Sequence, residues 1–298
     1  MWVSRLFSWW ELPWRFQGLK GLVEFKPRAW LLFAISALIV GYVLLVAVFF
    51  VYNLSDSAQD RFVSDFETAD LSEWNWLGAR QLCCSYSATL SNDQARTPPY
   101  SVRFELRRDD PHVRGSSRAE VRLKSVPWHT LYEVQFSTFL PADWRADDIP
   151  VTIAQWHNVN DLFMFEKYDV VPLRIAVVGD EYWVINHWDR RFLSRLPGQA
   201  TTVDGYKVLA KLPVDRGRWA DWRFRVRWSL GSDGLLEVWK DGKRVGQNEG
   251  PNAFNDAFTP YFKIGVYVPG WAVGKRSDVV SRVMFADRIR QIRITDQN

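Results

Sequence analysis

The chain has 298 residues, 24% of them charged and 47% hydrophobic, with a net charge of +4. That is room for one large β domain or two smaller ones, and too weak a charge to support nucleic-acid binding. Seventeen Trp are several times an ordinary share, and Trp suits lipid headgroups and sugar rings because its apolar body carries one polar N–H.

Residues 1–29 hold Trp2, Trp9, Trp10 and Trp14 among scattered basic residues. This is predicted to be a cytoplasmic or interfacial segment lying in the headgroup layer. Residues 30–52 then run without a single charge, from Trp30 to Tyr52. At about 1.5 Å per residue a helix of that length crosses a hydrocarbon core of roughly 30 Å. The aromatic residues at its two ends match the preference of such rings for the interface. Five basic and two acidic residues precede residue 53, while the other flank opens with Asp56 and Asp60 and has its first basic residue at Arg61. The excess of positive charge predicts a cytoplasmic N-terminus and a single-pass anchor in the inner (cytoplasmic) membrane. The bulk of the chain is then periplasmic or extracellular. A cleaved signal peptide fits less well, because the apolar run is long and no small-x-small site follows Tyr52.

Residues 53–61 read as a linker. From residue 62 the pattern has period two. Val102, Phe104 and Leu106 alternate with Arg103, Glu105 and Arg107, and Tyr132, Val134 and Phe136 with Glu133, Gln135 and Ser137. Trp222, Phe224, Val226 and Trp228 alternate with Arg223, Arg225 and Arg227. The 235–240 segment leads into Asp241-Gly242, a hairpin signal, and residues 288–294 (RIRQIRI) read as a last strand. Short strands without repeats or long amphipathic helices predict an all-β fold, two packed sheets in a sandwich or jelly roll filling 62–298. Cys83 and Cys84 are neighbours. They form no disulfide framework and no metal-ligand spacing, and are expected to be two small, partly buried thiols.

Three short segments carry unusual polar residues: Arg118-Ala119-Glu120-Val121-Arg122, Gln155-Trp156-His157, and 261–267 (YFKIGVY). In strands, side chains two apart share a face. Arg118, Glu120 and Arg122 then point together, as do Gln155 with His157, and Tyr261, Lys263 and Tyr267. Gly265 would leave a gap where a ligand approaches the backbone. If the three faces meet, they form a cationic groove with one acid. Such a set suits β-elimination on a polyuronate. Arg118, Gln155 and His157 would stabilise the charge that develops on the carboxylate as the C5 proton leaves. Tyr267 could take that proton or protonate O4, and His157 is the other candidate base. No metal or organic cofactor is called for.

The same three segments, in the same order, resemble the jelly-roll polysaccharide lyases. Alginate lyases of that fold carry Arg-x-Glu-Leu-Arg, Gln-Ile-His and Tyr-Phe-Lys-Ala-Gly-Val-Tyr. The Trp inside the second motif, Phe66-Glu67-Thr68, the 219–229 segment with Asp233-Gly234, and 238–243 (VWKDGK) are more similar to heparin lyase I and glucuronan lyase. The resemblance implies a concave sheet holding an anionic polysaccharide. Arg118, Gln155, His157 and Tyr267 would be its catalytic residues, with Arg122, Lys263, Glu120 and Trp156 binding substrate. Val268-Pro269-Gly270 stands where alginate lyases place Asn-Gln, which points away from alginate. Trp183 and Trp188 are further candidates for sugar stacking. The Arg223, Arg225 and Arg227 row is expected on an outer face. Two other classes fit the same features: a non-catalytic glycan-binding domain, and a membrane scaffold of the cell envelope.

Overall fold

The computed structural model describes residues 27–55, 60–68, 70–166, 170–192 and 202–295. The Trp-rich segment 1–29 lies outside the described side chains, and residues 56–59 of the 53–61 linker lie outside the described residues.

Helix α1 (Pro27–Ser55) begins three residues before the predicted 30–52 span and ends three residues after it. As far as Leu45 its large apolar side chains, among them Leu31, Phe33, Leu38 and Leu44, are exposed, as those of a lipid-facing helix are, whereas Phe49 is buried. By length and composition it is long and apolar enough to cross a membrane.

The rest of the described chain is built from strands. In order they are β1 (Arg61–Ser64), β2 (Arg80–Gln81), β3 (Ala88–Ser91), β4 (Ser101–Arg107), β5 (Arg118–Arg122), β6 (Tyr132–Phe139), β7 (Val151–His157) and β8 (Leu173–Val178). Then come β9 (Glu181–Trp188), β10 (Gly205–Pro213), β11 (Trp219–Arg227), β12 (Leu235–Lys240), β13 (Lys243–Glu249), β14 (Tyr261–Tyr267), the single turn α2 (Pro269–Ala272) and β15 (Ser281–Arg293). Two antiparallel sheets result. One runs β13-β12-β11-β6-β15-β4-β3, with β1 also pairing with β15. The other runs β10-β9-β8-β7-β14-β5-β2. This is the jelly-roll sandwich expected from the alternation.

The core between the sheets takes one side chain in two from each strand. Trp222, Phe224 and Val226 of β11 face Trp156, Phe262 and Ile264 from the other sheet. Trp156 lies 4.6 Å from Phe224 and 4.8 Å from Phe262, ring centre to ring centre. The alternate residues Arg223 and Arg225 lie on the outer face of their sheet, near Glu133 and Glu237 at 3.8 and 3.7 Å. Asp241 and Gly242 both have positive φ, 50° and 78°, the geometry of a tight hairpin between β12 and β13. Cys83 and Cys84 are joined to each other as a disulfide, which corrects the expectation of two thiols.

Candidate active site

The three motif strands are neighbours. In the seven-stranded sheet β14 lies between β7 and β5, with Lys263 opposite both Gln155 and Arg122, and Tyr267 opposite both Thr152 and Arg118. Phe262, Ile264 and Val266 enter the core. Period two therefore turns Tyr261, Lys263 and Tyr267 to the face directed away from the core, where Tyr267 is half-buried. Ala119 and Val121 of β5 are likewise core residues, which brings Arg118, Glu120 and Arg122 onto that same face.

Gly265 has φ +140°, and the β7–β14 register shifts between Ile264 and Tyr267. A Cβ there would stand 2.2 Å from the Ala119 carbonyl oxygen. The glycine thus makes room for the backbone of β5, not for a ligand as the sequence suggested. The bulge re-aims the end of β14 that carries Tyr267.

Glu120 is the hub. It accepts hydrogen bonds from Lys263 Nζ at 2.5 Å and from Gln155 Nε2 at 2.6 Å, and a longer one from Arg118 at 3.4 Å. Lys263 and Glu120 are excluded from solvent. Burial alone would push the Glu120 carboxyl up, but the charges of Lys263 and Arg118 together outweigh it and hold it below the usual carboxylate range. Burial lowers Lys263 to about 8, against the pull of Glu120. Arg118 also donates to Gln81 Oε1 at 3.2 Å, and its guanidinium covers the ring of Tyr267 at 4.5 Å.

His157 stands opposite Tyr261 and stacks on it, ring centres 5.5 Å apart. Its Nδ1 lies 2.8 Å from the carbonyl oxygen of Asn158. A carbonyl only accepts, so Nδ1 carries the proton and Nε2 keeps its lone pair. Burial, then the positive charge of Lys263, lowers the imidazole to about 4. It is therefore neutral at pH 7 and has no proton at Nε2 to give to a carboxylate.

Not every residue singled out in the sequence touches the groove. Trp156 is 1% exposed and packed in the core, so it cannot stack on a sugar. The alternation that turns Gln155 and His157 outward turns Trp156 inward. Lys263 and Glu120 form the floor and offer no exposed surface to a ligand. Arg122 is 3% exposed, donates to the Gly78 carbonyl and lies over the Tyr261 ring. Trp183 is half-buried on β9, with Lys211 Nζ 3.6 Å from its ring centre, and Trp188 packs beside Gly205.

Two features escaped the sequence reading. Gln81, on the two-residue strand β2, helps hold Arg118. Arg174, on β8, stands opposite Gln155. Its signal was an arginine alone in an otherwise apolar run, 171–178 (VPLRIAVV). A third group could hold a cation: ligand oxygens of Asp161, Glu166 and Asp256 lie within 4.8 Å of one another, a hard-oxygen set of the kind Ca²⁺ takes. Burial raises Asp161 to about 6 and Asp256 well above the ordinary range.

The fold is similar to that of an endo-β-1,4-glucuronan lyase from the fungus Trichoderma reesei, at TM-score 0.63 and 16% identity over 77% of this chain and 94% of that one. It is also similar to the alginate lyase Aly36B, at TM-score 0.52 and 13% identity over 81% of this chain and all of that one. No curated protein matches the sequence. The sequence profile of the family described as Polysaccharide lyase matches residues 66–290, a stretch that contains β5, β7 and β14 entire, and the chain therefore belongs to the polysaccharide lyase family.

Proposed function

We propose that this protein cleaves a uronate-containing anionic polysaccharide by β-elimination, with helix α1 as its membrane anchor. In this mechanism Nε2 of His157 takes the C5 proton. The electron pair left behind forms the C4=C5 double bond as the C4–O4 bond breaks. The Tyr267 hydroxyl gives its proton to the departing O4. The negative charge that grows on the carboxylate in between is met by Arg118 and by the second N–H of Gln155, whose first is held by Glu120. The buried Glu120–Lys263 pair fixes both groups before substrate arrives.

The observation that carries this reading is the single tautomer of His157. An acceptor-only nitrogen suits a base and does not suit a carboxylate ligand, which favours the second of the two roles the sequence reading left open for it. The likeness of the fold to glucuronan and alginate lyases supports a polyuronate substrate. The uncharged run of α1, with basic residues before it and acids after it, supports an uncleaved anchor with the lyase domain outside the cytoplasm.

The test is direct. The purified protein is offered glucuronan, alginate and heparin-like chains, and the ultraviolet absorbance of the unsaturated uronide is followed. At least one polymer should give a rising signal, and Tyr267→Phe should give none. Binding without absorbance would instead identify a glycan-binding domain. Fractionation without detergent should leave the intact chain with the membranes, and an intact soluble protein would overturn the anchor.

A further inference from the structure

Arg174 lies one strand away from the elimination chemistry. Leu173, Ile175 and Val177 of β8 are core residues, so Arg174 points to the same face as Arg118, Gln155 and Tyr267. It is opposite Gln155 on one side and Ile185 of β9 on the other. It is close enough to Tyr267 and to His187 to interact with both electrostatically. Beyond it the face continues with His187, whose Nδ1 donates to the Val171 carbonyl, and with Tyr206, 67% exposed and 6.1 Å from the His187 ring.

Arg174 differs from the other cations of this face. Lys263 and Arg118 share Glu120, and Arg122 has the Gly78 carbonyl. Arg174 makes no hydrogen bond or ion pair with any described residue, and its Nε is buried without a partner. Burial pushes its guanidinium below the usual range, but a guanidinium stays charged at any pH the protein meets. Arg174 as a whole is half-buried, and a partly desolvated charge with no counterion is costly to the fold. It is the arrangement expected where a ligand supplies the counterion, and the fork of a guanidinium fits a carboxylate.

We infer that Arg174 binds the carboxylate of the uronate next to the one that loses its C5 proton, and so selects for polymers with adjacent acidic sugars. This rests on the lyase reading for the position of the cleaved sugar. Strands in a sheet are about 4.8 Å apart, comparable to the length of one hexose. A glycan lying across the strands with one carboxylate at Gln155 and Arg118 brings its neighbour over β8. Tyr206 and His187 then offer that part of the chain an aromatic surface.

The experiment compares the full-length parent, Arg174→Ala and Arg174→Lys on glucuronan, in which every sugar is acidic, and on glucuronan with a fraction of its carboxyls reduced to alcohols. On the fully acidic polymer Arg174→Ala should raise KM by about 10- to 100-fold with kcat changed less than about threefold, the loss of one charged hydrogen-bonded contact. Arg174→Lys should recover only part of it. On the reduced polymer the gap between parent and Arg174→Ala should shrink. An unchanged KM, or an equal gap on both polymers, overturns the inference. Calorimetric binding of an acidic tetrasaccharide to Tyr267→Phe, with and without Arg174→Ala, separates this claim from the lyase reading. If the parent cleaves nothing, weaker binding without Arg174 still upholds the contact, and equal binding overturns it. Thermal melting closes the remaining gap: Arg174→Ala should melt at or above the parent temperature, since no partner is lost, and a marked fall would make Arg174 a structural residue.

Discussion

Lys263 and Glu120 form an ion pair without access to water, their Nζ and Oε2 2.5 Å apart on neighbouring strands. The pair costs desolvation on both sides, and that cost is recovered only while both partners are present. Lys263→Met should therefore destabilise the protein by about 3–5 kcal/mol, because Glu120 keeps only Arg118 and Gln155. Adding Glu120→Gln to it should restore much of the stability and none of the activity, since Gln155 and Arg118 are no longer held. Urea unfolding of the four proteins of this cycle, with kcat measured on each, checks both halves. If the double variant is less stable than Lys263→Met by the full cost of a second lost charge, the pair is not coupled.

The neutral imidazole of His157 predicts a particular pH profile. The free enzyme should show an acid limb in kcat/KM near pH 4, where burial and Lys263 have moved His157, and not near the ordinary 6.5. His157→Asn should lower kcat by about 10²–10⁴-fold, the usual worth of a positioned base, and its residual activity should lack that limb. A limb that persists in His157→Asn would mean that another group titrates, and that Tyr267 performs both proton transfers.

Trp156 separates packing from recognition. Its ring fills the core between Phe224 and Phe262, so Trp156→Ala should cost about 3–5 kcal/mol. Whatever fraction stays folded should bind substrate with the parent KM. A raised KM in folded protein would return Trp156 to the groove.

The sequence made the two sheets readable wherever alternation was clean, as in Val102 to Leu106 or Trp222 to Trp228. It also made the site's three strands readable, because charged residues two apart in an apolar context can face only one way. What it hid has physical causes. The last strand begins at Ser281 and not at Arg288, because Arg288, with φ 54°, sits in a bulge between Asp287 and Arg290 that interrupts the period. The three motif strands meet because β14 comes late in the chain and inserts between β5 and β7, a pairing that local pattern does not encode. Trp156 was misread because a Trp flanked by two polar residues resembles a recognition motif, although the same spacing requires it to point inward. The roles within the patch turned on side-chain contacts. The tautomer of His157 depends on one carbonyl, and the isolation of Arg174 depends on the absence of any acid opposite β8 among the described residues.

Asp161 gives a prediction whose sign can be worked out. Burial raises its carboxyl from 3.8 to about 6, against a hydrogen bond from the Ala257 N–H. The folded state thus holds this proton more tightly than the unfolded chain. The stabilisation is complete below pH 3.8 and is lost as pH rises through about 6, so at neutral pH the ionised group works against the fold. His157 and His187, both lowered to about 4 by burial, act in the opposite sense. Their contribution is present above 6.5 and is lost as pH falls through 4. In the difference between parent and Asp161→Asn the histidines cancel, and Asn keeps the oxygen that accepts from Ala257. Asp161→Asn should then be more stable relative to the parent at pH 7.5 than at pH 4, by on the order of 1–3 kcal/mol. Urea unfolding at the two pH values measures this, with EDTA present because a divalent cation on Asp161, Glu166 and Asp256 would favour the charged form. A difference that is the same at both pH values would show that Asp161 ionises as freely in the fold as outside it.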